Sequence, residues 1–482
     1  MTVINPSSIS GITSITMPSG DGNVLTIHTN DGTERFRIDS SGNVKVGSAA
    51  TISPDGDVFF TGVTTATTFT GAHSGSGANL TSLPAAQLTG TLPAISGANL
   101  TGIAATDNVR TGILDVAGIA TFRSDVNIPN ISGGQIGGRR NIVINGARQV
   151  AQRGTSDSGI TASEYADGPD RWKLEGSSFG TVTVSQSTDS PYGFGNSYKV
   201  LVTSTTGSIP ATSSLLEIST SFEGQDVQGF AKGSSSAKEY TLSFYVRSNR
   251  SGTYVAMLQD HDNTRLVSKT YTVSDSNWNR YTLTYPADTT GTLDNDGNKS
   301  FSIKFVLVAG TDFTSGTLQT TWGSSSNSIS RGGQVNFINS NDNYWQITGV
   351  QLEAGSQATA YEHRSYGEEL SLCQRYFFRH MGDSGTYTNA IGFSNGSGSG
   401  SFVYNFPTTM RALPSLTTVG TFRAQGGPTD SASFTSGLAV NTGSNTNYCR
   451  LQLTGSSGMT AGDGYILQFY GGNAKLNWDA EL

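Results

Sequence analysis

The feature that most constrains this chain is a two-residue rhythm that recurs but never lasts long. Glu239 to Ser248 reads EYTLSFYVRS, which places Tyr240, Leu242, Phe244 and Val246 on one side of an extended backbone. A helix cannot gather those four onto one face, whereas a half-buried strand does so automatically. The same rhythm returns in TYVAMLQ (Thr253 to Gln259), WNRYTLTYP (Trp278 to Pro286), KSFSIKFVLVAG (Lys299 to Gly310) and YWQITGVQLEAG (Tyr344 to Gly355). Turn residues separate the runs. Glycine supplies 60 of 482 residues, and Lys, Glu and Leu are scarce, so long helices are not expected. The chain reads as all-β.

Three regions follow. In residues 1–138, RIDSSGNVKVG (Arg37 to Gly47) matches ATISPDGDVFFTG (Ala50 to Gly62) at an offset of 14, with Ile38, Gly42, Val44 and Val46 recurring as Ile52, Gly56, Val58 and Phe60. Each copy reads as two strands around a Gly turn. GANLT occurs at Gly77 and again at Gly97, with Pro84 and Pro93 between. One hairpin cannot bury its own apolar face. The expectation is a repetitive fibrous shaft of intertwined chains under rotational symmetry, the alternative being a Gly/Ser/Thr linker. Residues 139–374 carry the longer strands and read as a jelly-roll β-sandwich. Residues 375–482, with RYFFRHM, SFVYNFP, YCRLQLTG and YILQFYGG, read as a small C-terminal β-sandwich.

NIVINGARQVAQRGTS (Asn141 to Ser156), DRWKLEG (Asp170 to Gly176) and YWQITGVQLEAGSQATAYEHRSYGEELSLCQRYF (Tyr344 to Phe377) together resemble a family of tailed-bacteriophage tail fibre proteins. The shaft repeats look like those of cyanophage structural proteins, and FPTTMRALPSL and NWDAEL look like terminal segments of the same fibres. The resemblance implies a carbohydrate-binding-type jelly roll and a homotrimer. It implies an N-terminus joined to other phage tail or baseplate proteins, and a virion location after assembly in the host cytoplasm. The implied function is host recognition and adsorption through surface glycans. A polysaccharide-depolymerising fibre, or a head- or baseplate-attached component, is the alternative.

Within the closing motif, VQLEAG reads as the last core strand. Ser365 with Glu368 reads as a capping box that starts a helix, with Leu370, Cys373 and Phe377 facing the sandwich. Glu362 and Arg364 are expected to pair and pin the connector, since His363 has no second ligand at a metal spacing. For glycan binding the candidates are Trp322, Trp278, Tyr344, Tyr387 and Tyr448, because aromatic faces match the apolar side of a sugar ring. Trp322, among polar neighbours, is the leading one, and Phe393 and Tyr404 join Tyr387 and Tyr448 at the tip. Asp294, Asp296 and Asn298 in DNDGNKS alternate hard oxygen ligands around Gly297, a partial calcium pattern and the sole cofactor suggested.

No catalytic residues emerge: GxSxG, HExxH and phosphate-cradling loops are missing from any supporting context, so the chain is not expected to be an enzyme. A net charge of −7 argues against nucleic-acid binding. No apolar run reaches the ~20 residues of a membrane span, and MTVINPSSISGITS has no signal-peptide pattern. Cys373 and Cys449 read as small buried apolar residues.

Overall fold

The computed structural model describes residues 24–48, 50–61, 130–131, 134–135, 139–205, 211–427 and 430–482, with isolated positions between. The GANLT pair, Pro84 and Pro93 lie outside the described residues. By compactness the chain divides into Met1–Gly118 and Ile119–Leu482.

The first unit holds an antiparallel meander, β1 (Leu25–His28), β2 (Glu34–Ile38), β3 (Val44–Val46), β4 (Ala50–Ile52) and β5 (Val58–Phe60), in that order across the sheet. The 14-residue repeat is therefore two hairpins, β2–β3 and β4–β5. In both, a glycine closes the loop: Gly42 N donates to Asp39 O at 2.9 Å and Gly56 N to Ser53 O at 3.0 Å. Their φ values of +85° and +95° lie in the left-handed region that glycine enters without strain. Register then sorts the side chains. Leu25, Ile27, Phe36, Ile38, Val44, Val46, Ala50, Ile52, Val58 and Phe60 share one face, and none of them is buried.

The second unit opens with a two-residue ribbon, β6 (Asn130–Ile131) and β7 (Gly134–Gln135). The sandwich follows: β8 (Ser156–Ile160), β9 (Lys173–Ser177), β10 (Thr181–Ser187), β11 (Ser197–Ser204), β12 (Leu215–Glu223), β13 (Tyr240–Ser248), β14 (Gly252–Asp260), β15 (Arg265–Val273), β16 (Asn279–Tyr285), β17 (Lys299–Ala309), β18 (Gly323–Ser324) and β19 (Tyr344–Ala354). The front sheet runs β16-β13-β19-β11-β10-β8 and the back sheet β18-β15-β14-β17-β12-β9, all antiparallel. This is the expected jelly roll, with β19 central in the front sheet. The alternating residues of β13 point inward, where Phe244 meets Phe305 of the opposite sheet edge to face at 4.9 Å between ring centres. Trp345 and Trp172 fill the same core, and truncating such a residue costs about 3–5 kcal/mol.

The beginning and the end of the sandwich are tied together. Asn141 donates through Nδ2 to Val350 O (3.2 Å) and accepts at Oδ1 from Leu352 N (3.2 Å). Glu362 accepts from the backbone N–H groups of Arg140 and Asn141 at 2.9 and 2.7 Å. Arg364 donates to the carbonyls of Asn141 and Val143 and pairs with Glu369 at 3.1 Å. Glu362 and Arg364 thus pin the connector as expected, but not by pairing with each other. Each has a better partner in the unpaired backbone of residues 140–143.

Ser365 caps α1 (Tyr366–Gln374), its hydroxyl accepting from Glu368 N at 3.3 Å. The return half of the box is absent, because Glu368 turns to Arg139. The helix also stops earlier than expected. Leu370 and Cys373 pack inward, whereas Phe377 begins the next strand, beneath the Arg153 guanidinium at 3.6 Å. Cys373 and Cys449 are both buried free thiols.

The C-terminal region, called the tip below after its expected place, comprises β20 (Phe377–Gly382), β21 (Tyr387–Gly396), β22 (Ser399–Asn405), β23 (Ser415–Val419), β24 (Phe422–Gln425), β25 (Ser431–Phe434), β26 (Leu438–Val440), β27 (Tyr448–Thr454), β28 (Gly464–Phe469) and β29 (Ala474–Asp479). A three-stranded sheet, β20-β29-β23, accompanies a seven-stranded sheet, β25-β24-β28-β21-β22-β27-β26. Their shared core contains Phe402, Phe422, Leu451, Leu467 and Trp478. After β29 the backbone returns to the sandwich. Glu481 accepts from Arg171 and, at 3.3 Å, from Arg153, while Asp479 accepts from Arg153 at 3.0 Å.

A buried carboxyl and a half-buried imidazole make the sandwich acid-sensitive. Burial alone would push the Glu217 carboxyl up, but Arg331 and Lys304 outweigh it and hold it down at about 2. Burial, reinforced by Lys299 and Lys304, pushes the His261 imidazole down to about 3. Both pKa values are depressed on folding, so both contributions are present above the unfolded pKa and vanish as pH falls. The windows are 6.5 to about 3 for His261 and 4.5 to about 2 for Glu217. Asp170, pushed up to about 6 by burial, works in the opposite sense between 3.8 and about 6. A His261→Gln variant isolates the histidine. Between pH 6.5 and 4.5 it should lose on the order of 2 kcal/mol less stability than the parent, measured by urea unfolding. Parallel curves would refute the assignment.

Candidate functional site

The outer face of the front sheet is where candidate residues converge. While Leu242, Phe244 and Val246 of β13 point inward, Tyr245 and Arg247 point outward. On β11, Lys199 points outward between buried Tyr198 and Val200. On β19, buried Trp345 and Ile347 leave Tyr344 and Gln346 on the same outer face. Register places Gln346 opposite Lys199 on one side and Arg247 on the other.

The 188–196 loop between β10 and β11 lies across this face. Phe194 seats its ring against Tyr245 (5.4 Å), Tyr361 (5.1 Å) and His363 (5.3 Å). It also lies over Gly349, where a Cβ would meet Phe194 Cζ at 2.7 Å, so the glycine of the ITGVQLEAG motif makes room for the loop. Phe194 N donates to Pro191 O (3.1 Å), Ser190 Oγ to Phe194 O (2.7 Å) and Ser197 Oγ to Asp189 O (2.6 Å). Gly193, at φ +93°, completes a tight turn of the type that needs a glycine after its first corner residue. That corner residue is Tyr192, which is fully exposed. Its backbone is held by the turn while its ring stands in water.

Asp189 links this loop to the sheet. Its carboxylate accepts from Arg247 Nη1 at 2.7 Å and from Trp278 Nε1 at 3.1 Å. Arg247 also lies 6.0 Å from the centre of the Tyr344 ring, and the Lys199 ammonium lies 5.4 Å from it. Trp278 is half-buried, oriented by the turn in which Asp275 accepts from Asn277 N and Asn279 Nδ2. The arrangement presents aromatic surfaces, two cations and a carboxylate on a hydrogen-bonded frame.

Of the five sequence candidates, Trp278 and Tyr344 are brought together here. Trp322 is elsewhere and is half-buried. It donates to Pro286 O at 2.8 Å and packs on Tyr240 and Phe301, so it covers the core above the buried Lys232–Asp260 pair. Tyr387 and Tyr448 are exposed on the outer face of the seven-stranded tip sheet, beside Phe393 and Ile391. Tyr404, by contrast, is a buried core residue hydrogen-bonded to His380 at 2.7 Å. In DNDGNKS the oxygens serve the turn and its neighbours. Asp296 accepts from Asn298, Gln228 reaches Asp294 O, and Arg411 of the tip reaches Gly297 O at 3.0 Å. Among the described residues no group of three or more His, Cys, Asp or Glu is placed to hold a metal ion. Sequence reasoning missed Tyr192, Lys199, Arg247 and Asp189. The SPYGFG segment signals a turn, but only the register reveals which face it covers.

A cleft of about 430 Å³ beside α1 is lined by Glu368, Ser371, Leu372, Arg375, Thr408 and Thr409. Its one carboxylate, Glu368, is already paired with Arg139. Among the described residues no helix is long and apolar enough to cross a membrane.

No protein-family model matches the chain. No curated protein matches it. Similar solved structures include the enzymatically active domain of tailspike protein 4 from bacteriophage CBA120. That match has 14% identity and a TM-score of 0.24, and it covers 44% of this chain and 21% of the tailspike chain. Another is the carbohydrate-binding module TmCBM61 in complex with β-1,4-galactotriose (10% identity, 45% of this chain and 99% of the module, TM-score 0.23). A third is the family 11 module from Clostridium thermocellum with a β-1,3-1,4-mixed-linked tetrasaccharide (14%, 44% and 99%, TM-score 0.22).

Proposed function

We propose that this chain is a non-enzymatic adhesive fibre of a tailed phage that holds host surface glycans on the outer face of the front sheet. Tyr192 carries the reading. A large ring held fully in water on a tight, hydrogen-bonded turn does nothing for the core, yet it suits stacking on a sugar. Trp278 and Tyr344 supply further aromatic surface, and Asp189, Arg247 and Lys199 offer partners for hydroxyls. The tip is a second binding surface on this reading, favoured by the exposed Tyr387, Phe393 and Tyr448 of one sheet face.

The meander supports the oligomeric part of the proposal. Its face of ten apolar side chains, with Phe60 55% exposed, suits packing against the same face of further copies in a homotrimer. Three sites on one fibre would raise avidity without any single tight contact. In this picture the N-terminal region also joins other tail or baseplate proteins.

Tyr192→Ala tests the glycan site cleanly, because the ring has no core role. The variant should melt like the parent. On a panel of bacterial surface polysaccharides its affinity should fall about thirtyfold, the effect of losing an anchoring aromatic worth about 2 kcal/mol. Unchanged binding would remove the site. Release of reducing ends from a bound polysaccharide would instead favour the depolymerising alternative. For the oligomer, light scattering of the full chain should give three times 50.5 kDa, about 152 kDa. Phe60→Asp should reduce that mass, and a parent already monomeric at micromolar concentration would exclude the trimer.

A further inference from the structure

We infer that the front-face site selects sugars bearing a carboxylate, that is, uronic-acid-type glycans rather than neutral ones. The inference rests on the glycan reading above and adds the charge of the ligand.

The site holds three charged groups, and two of them cancel. Arg247 is paired with Asp189 at 2.7 Å, and the same carboxylate also accepts from Trp278. Lys199 is left over. Among the described residues its ammonium forms no ion pair and no hydrogen bond, and it lies 5.4 Å from the centre of the Tyr344 ring. Lys199 is not out in bulk water either. It is half-buried on β11, next to the row formed with Gln346 and Arg247. Gln346 is itself buried, and among the described residues no donor reaches its Oε1. The chain as a whole carries a net charge of −7, so a general attraction to anions does not explain an uncompensated cation here.

An ammonium partly withdrawn from water and beside an aromatic ring is placed for one charge-assisted hydrogen bond. A sugar ring stacked on Tyr344 or Trp278 would bring a substituent of its rim toward Lys199. One uncompensated positive charge matches one carboxylate per sugar. It does not match a densely sulfated chain, which would want several cations together.

The test compares polymers with and without their charge on one backbone. Full-length protein is titrated calorimetrically with polygalacturonate, alginate and hyaluronate at 50 mM salt, and with the methyl-esterified form of each. At least one acidic polymer should bind about tenfold more tightly than its ester. That preference should shrink at 500 mM salt, as expected for an exposed charge contact. Lys199→Gln should abolish the preference, and Lys199→Arg should retain it. Tyr192→Ala should weaken acid and ester alike. Equal binding of acid and ester, or a preference that survives Lys199→Gln, overturns the charge inference and leaves the glycan reading standing. Failure of all three acidic polymers, with neutral polysaccharides bound in a Tyr192-dependent way, also overturns it. Failure of every acidic and neutral polysaccharide would remove the glycan reading itself.

Discussion

Replacing Glu481 by alanine is expected to destabilise the second unit by about 3–5 kcal/mol. The carboxylate sits between two arginines whose side chains are nearly inaccessible, with Arg171 at 2% and Arg153 at 6% exposure. Without it, two buried guanidinium groups face each other with less compensation. Arg153 would keep Asp479, and Arg171 would keep Ser221 O at 2.6 Å and the Tyr376 ring at 3.4 Å. Those contacts limit the damage but supply no second negative charge to Arg171. Thermal unfolding monitored by tryptophan fluorescence would show a markedly earlier transition. Glu481→Gln keeps the shape and should recover part of the loss. A melting curve matching the parent's would mean that water, rather than Glu481, neutralises Arg171.

The second large effect is expected at Asn145. Its side chain donates to Val150 O (2.8 Å) and Asp170 O (2.9 Å), and its Oδ1 accepts from Val150 N (3.1 Å). All of these groups are buried, and the residue itself sits at φ +55°. Alanine would leave Val150 N and Asp170 O unpaired, each worth about 1–3 kcal/mol, while Val150 O keeps the Asp170 N–H at 2.9 Å, and the substitution would add backbone strain. A net loss of about 3–6 kcal/mol follows, enough to leave much of the protein unfolded or insoluble. Asn145→Gly removes the strain but not the unpaired groups. The difference between the two variants in urea unfolding therefore reports the strain less the extra chain entropy that glycine gains on unfolding. Equal stability of Asn145→Ala and the parent would show that the hydrogen bonds contribute little.

These two positions show how far the residues could be read in advance. Strands such as Tyr240–Ser248 and Lys299–Ala309 were legible because a buried face imposes strict alternation. The Gly42 and Gly56 hairpins were legible because their repeat preserves both the turn and the flanking apolar residues. The NGARQ, DRW and NWDAEL motifs were visible as motifs, but not their role. Asn145 meets Glu369, and Arg153 and Arg171 meet Glu481, across separations that no local pattern encodes. The aromatic candidates show the same limit. Trp322 and Trp278 stand in similarly polar stretches, yet one covers the core and the other lines an outer face. The difference lies in sheet order, which a single sequence does not reveal. Tyr192 was passed over because it lies in a turn, the kind of segment in which an exposed ring needs no partner.

The clasp around Asn141 has a consequence for how such a molecule can change. Because Asn141 meets Val350 and Leu352, the sandwich begins and finishes at nearly one point, and about two hundred residues are looped out from a closed base. An element with adjacent ends can be lifted out and another inserted with little disturbance to what flanks it. Recombination that preserves the Asn141 and Asn145 segment, the Gly349 strand and the arginines facing Glu481 would exchange one jelly roll for another as a cassette. The motifs that make the chain look familiar would then be the splice points, and the surface around Tyr192 the cargo free to diverge.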